Sequence, residues 1–120
     1  MELFVTDTAK EKLQKYIDDP KAQLILDFDD GVGPLSLEGS CTLNNNFRVV
    51  IVDPADDSYK NDYEKSMPSN VGDFLYKGYS EMYMDKKLKL DVNPATTMIK
   101  LVGANSGELT GAVPVVDLRD

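Results

Sequence analysis

The chain predicts an α+β domain, mostly β: one N-terminal helix followed by short, mostly antiparallel strands, arranged as two packed sheets or a flattened barrel. Three observations carry that expectation. A single stretch near the N-terminus repeats its apolar residues at helical spacing, and several later stretches alternate apolar with polar. Clusters of Gly, Asn, Asp or Pro separate those stretches. At 120 residues and 42% hydrophobic content, residues 1–120 are expected to form a single domain around one core.

Leu3-Phe4-Val5 reads as a short strand. Thr6-Asp7-Thr8 then offers three helix N-caps, and Thr8 with Glu11 fits a capping box. Ala9, Leu13, Tyr16 and Ile17 form one apolar stripe, which Asp18-Asp19-Pro20 ends because the residue before proline is driven out of the helical region. From Ala22 to Asp29 the residues alternate. Leu24, Leu26 and Phe28 share a buried face, while Gln23, Ile25, Asp27 and Asp29 share a face that turns acidic at its end. Asp30-Gly31 supplies a tight turn, and Leu35-Ser36-Leu37 and Cys41-Thr42-Leu43 read as short extended pieces. Asn44-Asn45-Asn46 turns into Phe47 to Val52, the strongest strand pattern in the chain. Pro54 to Asp62 reads as an exposed polar loop. Further strands are expected at Phe74 to Lys77, Leu88 to Val92 and Met98 to Val102. Val113 to Val116 reads as an edge strand, because Pro114 cannot donate to a central ladder.

Charge and composition exclude several classes of function. A net charge of −8 repels phosphate backbones and anionic lipid, so neither nucleic acid nor membrane is an expected partner. No run reaches the eighteen or so apolar residues of a membrane span. With no histidine, the chain lacks the usual general base near neutral pH and the commonest zinc ligand, and no nucleophile–base pair is recognisable. No enzyme is expected. One cysteine makes no intrachain disulfide, and the start has neither a cationic nor an apolar leader region, so a cytoplasmic location is expected.

The densest chemistry lies in Asp27-Phe28-Asp29-Asp30-Gly31-Val32-Gly33-Pro34 and the nearby Gly39-Ser40-Cys41. Asp27, Asp29 and Asp30 offer hard oxygen ligands suited to calcium or magnesium. Gly31 and Val32 occupy loop positions where a calcium hand needs an acid or amide and then a glycine, so that motif is rejected. The alternative is an acidic strand end kept in water. Gly31-Val32-Gly33 is followed by Pro34 and opens no helix, which argues against a phosphate cradle. Cys41 is the one soft ligand, fit for iron or an iron–sulfur cluster; the opposing reading is a small buried thiol. Tyr76, Tyr79, Met82 and Tyr83 read as core and interface packing.

Val5-Thr6-Asp7-x-Ala9 opening a helix, a strand running into a glycine-rich turn, and Gly39-Ser40-Cys41 together resemble the HesB-like family, the A-type iron–sulfur cluster biosynthesis proteins. Leu26 to Gly33, Ser69-Asn70-x-Gly72 and Lys77-Gly78-Tyr79-Ser80 resemble a short acidic subgroup of it. The resemblance implies a β-rich fold and a non-enzymatic accessory role in cluster assembly, with iron or a labile cluster bound weakly. Family members use a cysteine after the central turn and a Cys-x-Cys near the C-terminus. Cys41 corresponds to the first, and Gly107 to Asp120 contains no cysteine. The implied ligand is Cys41, to which Asp29 and Asp30 at the strand end add candidate metal carboxylates, and the implied partners are assembly or recipient proteins. A homodimer would bring two Cys41 thiolates to one cluster. The alternative is a protein-binding module that kept the HesB-like fold and lost metal binding.

Overall fold

The computed structural model describes residues 1–29, 46–55 and 59–119, with the side chains of residues 29 and 46 outside that description. The pieces expected at Leu35–Leu37 and Cys41–Leu43 lie outside it too. The chain opens with β1 (Glu2–Val5) and α1 (Asp7–Ile17), followed by β2 (Gln23–Asp29) and β3 (Asn46–Val52). Two short strands, β4 (Lys65–Met67) and β5 (Phe74–Tyr76), lead to a 3₁₀ helix at Gly78–Tyr83. β6 (Lys87–Val92), β7 (Ile99–Gly103), β8 (Gly107–Thr110) and β9 (Val115–Asp117) complete it.

Among the described residues the strands form two mixed sheets that do not close into a barrel, one ordered β1-β6-β7-β8 and the other β4-β5-β2-β3-β9. The expected α+β class holds, as does the antiparallel character of the hairpins β2–β3, β4–β5, β6–β7 and β7–β8. Three pairings are parallel: β1 with β6, β2 with β5 and β3 with β9. β9 is an edge strand, as Pro114 requires.

The helix begins two residues earlier than the capping box suggests. Thr6, in extended conformation, accepts the Ala9 N–H at 3.3 Å and is the N-cap. Its hydroxyl also donates to Asp91 on β6 at 2.9 Å, a tertiary bond that Thr8 makes only at 3.5 Å. The helix ends at Asp18, where the cap N–H returns to Gln14 and Tyr16 carbonyls.

The core lies between the two sheets. Leu3, Val5, Leu88, Leu90, Ile99 and Leu101 from the four-stranded sheet face Leu24, Leu26, Phe28, Phe47, Val49 and Ile51 from the five-stranded one, with Ala9, Leu13 and Tyr16 of α1 in the same cluster. Each large side chain buried there contributes about 1.5–3 kcal/mol. A second, smaller cluster of Ile25, Val50, Val52, Tyr59 and Tyr63 covers the opposite face of β2 and β3. In the expected exposed loop at Pro54–Asp62, the described Pro54, Ala55, Lys60 and Asn61 are exposed, whereas Tyr59 is buried in this cluster.

Candidate functional site

β2 and β3 pair with Asp29 opposite Asn46, so the chain between them leaves and re-enters at one end of the five-stranded sheet. Of the three expected ligands only Asp29 is placed, by its backbone, as the last residue of β2. Cys41 and Asp30 lie outside the described residues. Among those described, no group of three or more His, Cys, Asp or Glu side chains is arranged to hold a metal ion.

What the structure does show at this end of the sheet is a buried charge network. Asp27 and Arg48 are cross-strand neighbours whose side chains share the face away from the main core. Arg48 Nε donates to Asp27 Oδ2 at 2.7 Å, and Tyr63 Oη donates to Oδ1 at 2.6 Å. Lys77 Nζ stands 3.6 Å from Oδ1 and donates to the Phe28 carbonyl at 3.2 Å. The ammonium also lies 5.5 Å from the Tyr63 ring centroid. Asp27, Arg48 and Lys77 are 0%, 2% and 1% exposed. A lone carboxylate in that setting would cost far more than the strand could repay, so two cations and a phenol are needed to hold it.

This corrects the reading of Asp27 as part of a strand end kept in water: the second face of β2 is buried, and its acid is an interior ion. Alternation located the face but could not reveal the cover, because Tyr63 and Lys77 arrive from distant sequence. An acid facing a basic residue in register across two strong strands was the available signal. Arg48, Tyr63 and Lys77 were all missed as members of one constellation.

The second-half motifs now have structural roles. In Lys77-Gly78-Tyr79-Ser80, Lys77 enters the network and Ser80 Oγ donates to the Lys77 carbonyl at 2.5 Å. Gly78 N–H donates to Glu64 Oε1 at 3.0 Å, and an added Cβ at Gly78 would strike that carboxylate. In Ser69-Asn70-x-Gly72, the Asn70 side chain accepts from Val5 N at 2.8 Å and donates to Val5 O at 2.9 Å, standing in for a neighbouring strand beside β1. Gly72 takes φ +121°, a conformation that L side chains rarely adopt.

The aromatic–thioether group divides. Tyr76 is buried, and its phenol is pushed up by burial first and then by the carboxylates of Glu81 and Glu64. Tyr83 stacks on Phe28 with centroids 4.4 Å apart, and Phe28 in turn meets Phe47 at 5.2 Å. Tyr79 and Met82 stand exposed on the 3₁₀ helix.

The architecture is that of a mostly β, two-sheet scaffold whose paired strands β2 and β3 are locked by interior ions. Comparison with known proteins gives that class a family. The profile for iron-sulphur cluster biosynthesis matches residues 1–117. A crystal structure of a protein assigned to Fe-S biosynthesis from Lactobacillus salivarius, reported with a novel protein fold, is 49% identical and superposes with a TM-score of 0.91 over all of both chains. A second, assigned likewise, from Lactobacillus acidophilus shares the fold at TM-score 0.70 and 21% identity, over 98% of this chain and 90% of that one. A comparison with curated proteins returns no match. The chain belongs to the iron–sulphur cluster biosynthesis family, and that membership supports a role in iron–sulfur cluster assembly.

Proposed function

We propose that this chain is a non-enzymatic, cytoplasmic accessory of iron–sulfur cluster assembly that carries iron or a labile cluster as cargo. Cys41 is the soft ligand, and Asp29 and Asp30, twelve and eleven positions before it in sequence, are the carboxylates. The family match over residues 1–117 is the observation that carries the reading. Ligand arithmetic sets its strength. Clusters take four protein ligands, and one thiolate per chain supplies a quarter of them, so binding is weak and the remaining positions fall to carboxylate, external thiol or a second chain. The cargo is handed between assembly and recipient proteins rather than stored.

The test is anaerobic incubation with ferrous iron and sulfide. Visible absorbance is expected in the wild type and lost in Cys41→Ser; no absorbance, or equal absorbance in both, overturns Cys41 ligation.

The single cysteine also favours a second reading, a protein-binding module that kept the HesB-like fold without metal chemistry. On that reading, capture of an assembly protein persists unchanged in Cys41→Ser and in the presence of chelator.

A further inference from the structure

The 3₁₀ helix Gly78–Tyr83 turns its large apolar side chains to water. Tyr79, Met82 and Tyr83 are 49%, 76% and 41% exposed, and they are three of the six large apolar side chains that stand out among the described residues. Such groups are ordinary when scattered singly; contiguous ones mark an interaction site. Side chains three apart eclipse on a 3₁₀ helix, so Tyr79 and Met82 share one face with Tyr83 beside it. The backbone beneath them is fixed. Ser80 N–H donates to the Lys77 carbonyl at 2.9 Å, Met84 N–H to the Glu81 carbonyl at 3.0 Å, and Gly78 N–H to Glu64. Apolar groups held on an ordered backbone lose little freedom when covered, and Tyr and Met are among the residue types enriched at protein interfaces.

Position ties this face to the chain that carries Cys41. Tyr83 stacks on Phe28, which meets Phe47. Phe28 and Phe47 are register partners, one residue inside the points where the connection between β2 and β3 leaves the sheet and returns. A standard interface covers roughly 800 Å² per partner, a patch about 28 Å across. One centred on this end of β2 and β3 takes in Tyr83 and the 3₁₀ face with it. With one thiolate per chain, this protein is suited to receiving a cluster already built, so the partner that must dock is the one holding the cluster first. Charge describes that partner's face. Glu64, Glu81 and Asp85 outnumber Lys65 and Lys86 beside the apolar group, in a chain of net charge −8, and a basic surface is drawn to it.

We infer that the Tyr79/Met82/Tyr83 face is the docking surface for a cluster-assembly protein that presents an apolar side chain ringed by lysine or arginine. The identity of the partner rests on the function proposed above; the contact itself needs no metal.

Biolayer interferometry without metal tests it, using the full chain and the purified protein on which the same organism builds its clusters. The wild type is expected to bind, more weakly as salt rises. Met82→Glu is expected to raise the dissociation constant about tenfold or more. Met98→Glu makes a like change at an exposed methionine just before β7, and is expected to stay within about twofold of wild type. Circular dichroism melting confirms that each variant is folded. No binding by the wild type, an unchanged affinity in Met82→Glu, or an equal loss in Met98→Glu overturns the inference. Visible absorbance after anaerobic incubation with iron and sulfide is expected to be the same in Met82→Glu as in wild type. Failure of the cargo reading therefore shows in absorbance, and failure of the docking surface in binding. Absorbance lost in Met82→Glu alone would assign Met82 to the cargo and overturn its docking role.

Discussion

Asp27 and Arg48 face each other across β2 and β3 at 2.7 Å with both side chains sealed from water. Removing one member strands the other. Arg48→Ala is expected to lose about 3–5 kcal/mol of unfolding free energy, the usual cost of breaking a buried ion pair from one side. Tyr63→Phe, which removes one hydrogen bond to the same carboxylate, is expected to lose about 1.5–3 kcal/mol. Urea titration with the m-value held constant measures both, and an Arg48→Ala loss below that of Tyr63→Phe contradicts the assignment.

Thr6, rather than Thr8, caps the helix and ties it to β6. Thr6→Ala is expected to cost about 1–2 kcal/mol, a cap at the upper end of its range because the bond to Asp91 is lost as well. Thr8→Ala is expected to fall within about 0.5 kcal/mol of wild type. Equal losses in the two variants would place the cap at Thr8.

Asp85 sits directly over Gly103 and closes the β7–β8 turn. It accepts from Ser106 N at 2.7 Å, Ser106 Oγ at 2.8 Å and Asn105 N at 2.9 Å. A Cβ at Gly103 would overlap that carboxylate. Gly103→Ala is therefore expected to cost about 1–3 kcal/mol as an overpacking change that dislodges the turn. In an Asp85→Ala background the same change should be nearly neutral. Additive losses in the double variant, read by thermal melting, would separate the two residues.

Acid should weaken the fold in a defined window. The Ser106 N–H, the Ser106 hydroxyl and the Asn105 N–H hold the Asp85 carboxyl below its ordinary value of 3.8. The Arg119 side chain does the same for Asp117, and the Lys21 N–H followed by Arg119 for Asp19. A carboxyl depressed in the folded state contributes stability that is complete above its unfolded value and lost as pH falls through its folded one. The melting temperature should accordingly hold steady down to about pH 5 and drop below about pH 4. Asp85→Asn should flatten that drop, and an unchanged acid limb would show that Asp85 takes no part in it.

The parts of the fold legible in sequence are those whose residues carry their own pattern. α1 has a stop signal and an apolar stripe, β2, β6 and β7 alternate over five or more residues, and β3 is rich in β-branched residues. β8 was missed because Gly107-Glu108-Leu109-Thr110 has one strongly apolar residue, and pairing to β7 rather than propensity makes it a strand. The 3₁₀ helix after Lys77 leaves no signal in the sequence, since so short a turn has no periodicity to display. The site was half legible. Asp27 was noticed for its charge, yet its burial depends on Tyr63 and Lys77, 36 and 50 positions away in the chain. Alternation names a face without naming what will lie on it.

The parallel pairing of Glu2–Val5 with Lys87–Leu90 means that β1 waits for about eighty further residues of synthesis before its sheet partner exists. Val49–Ile51 waits likewise for Val115–Asp117. Ordering of this molecule is thus a late, all-at-once event set by distant loop closure, and a nascent chain stopped near residue 80 holds two unfinished sheet edges that invite association with other chains.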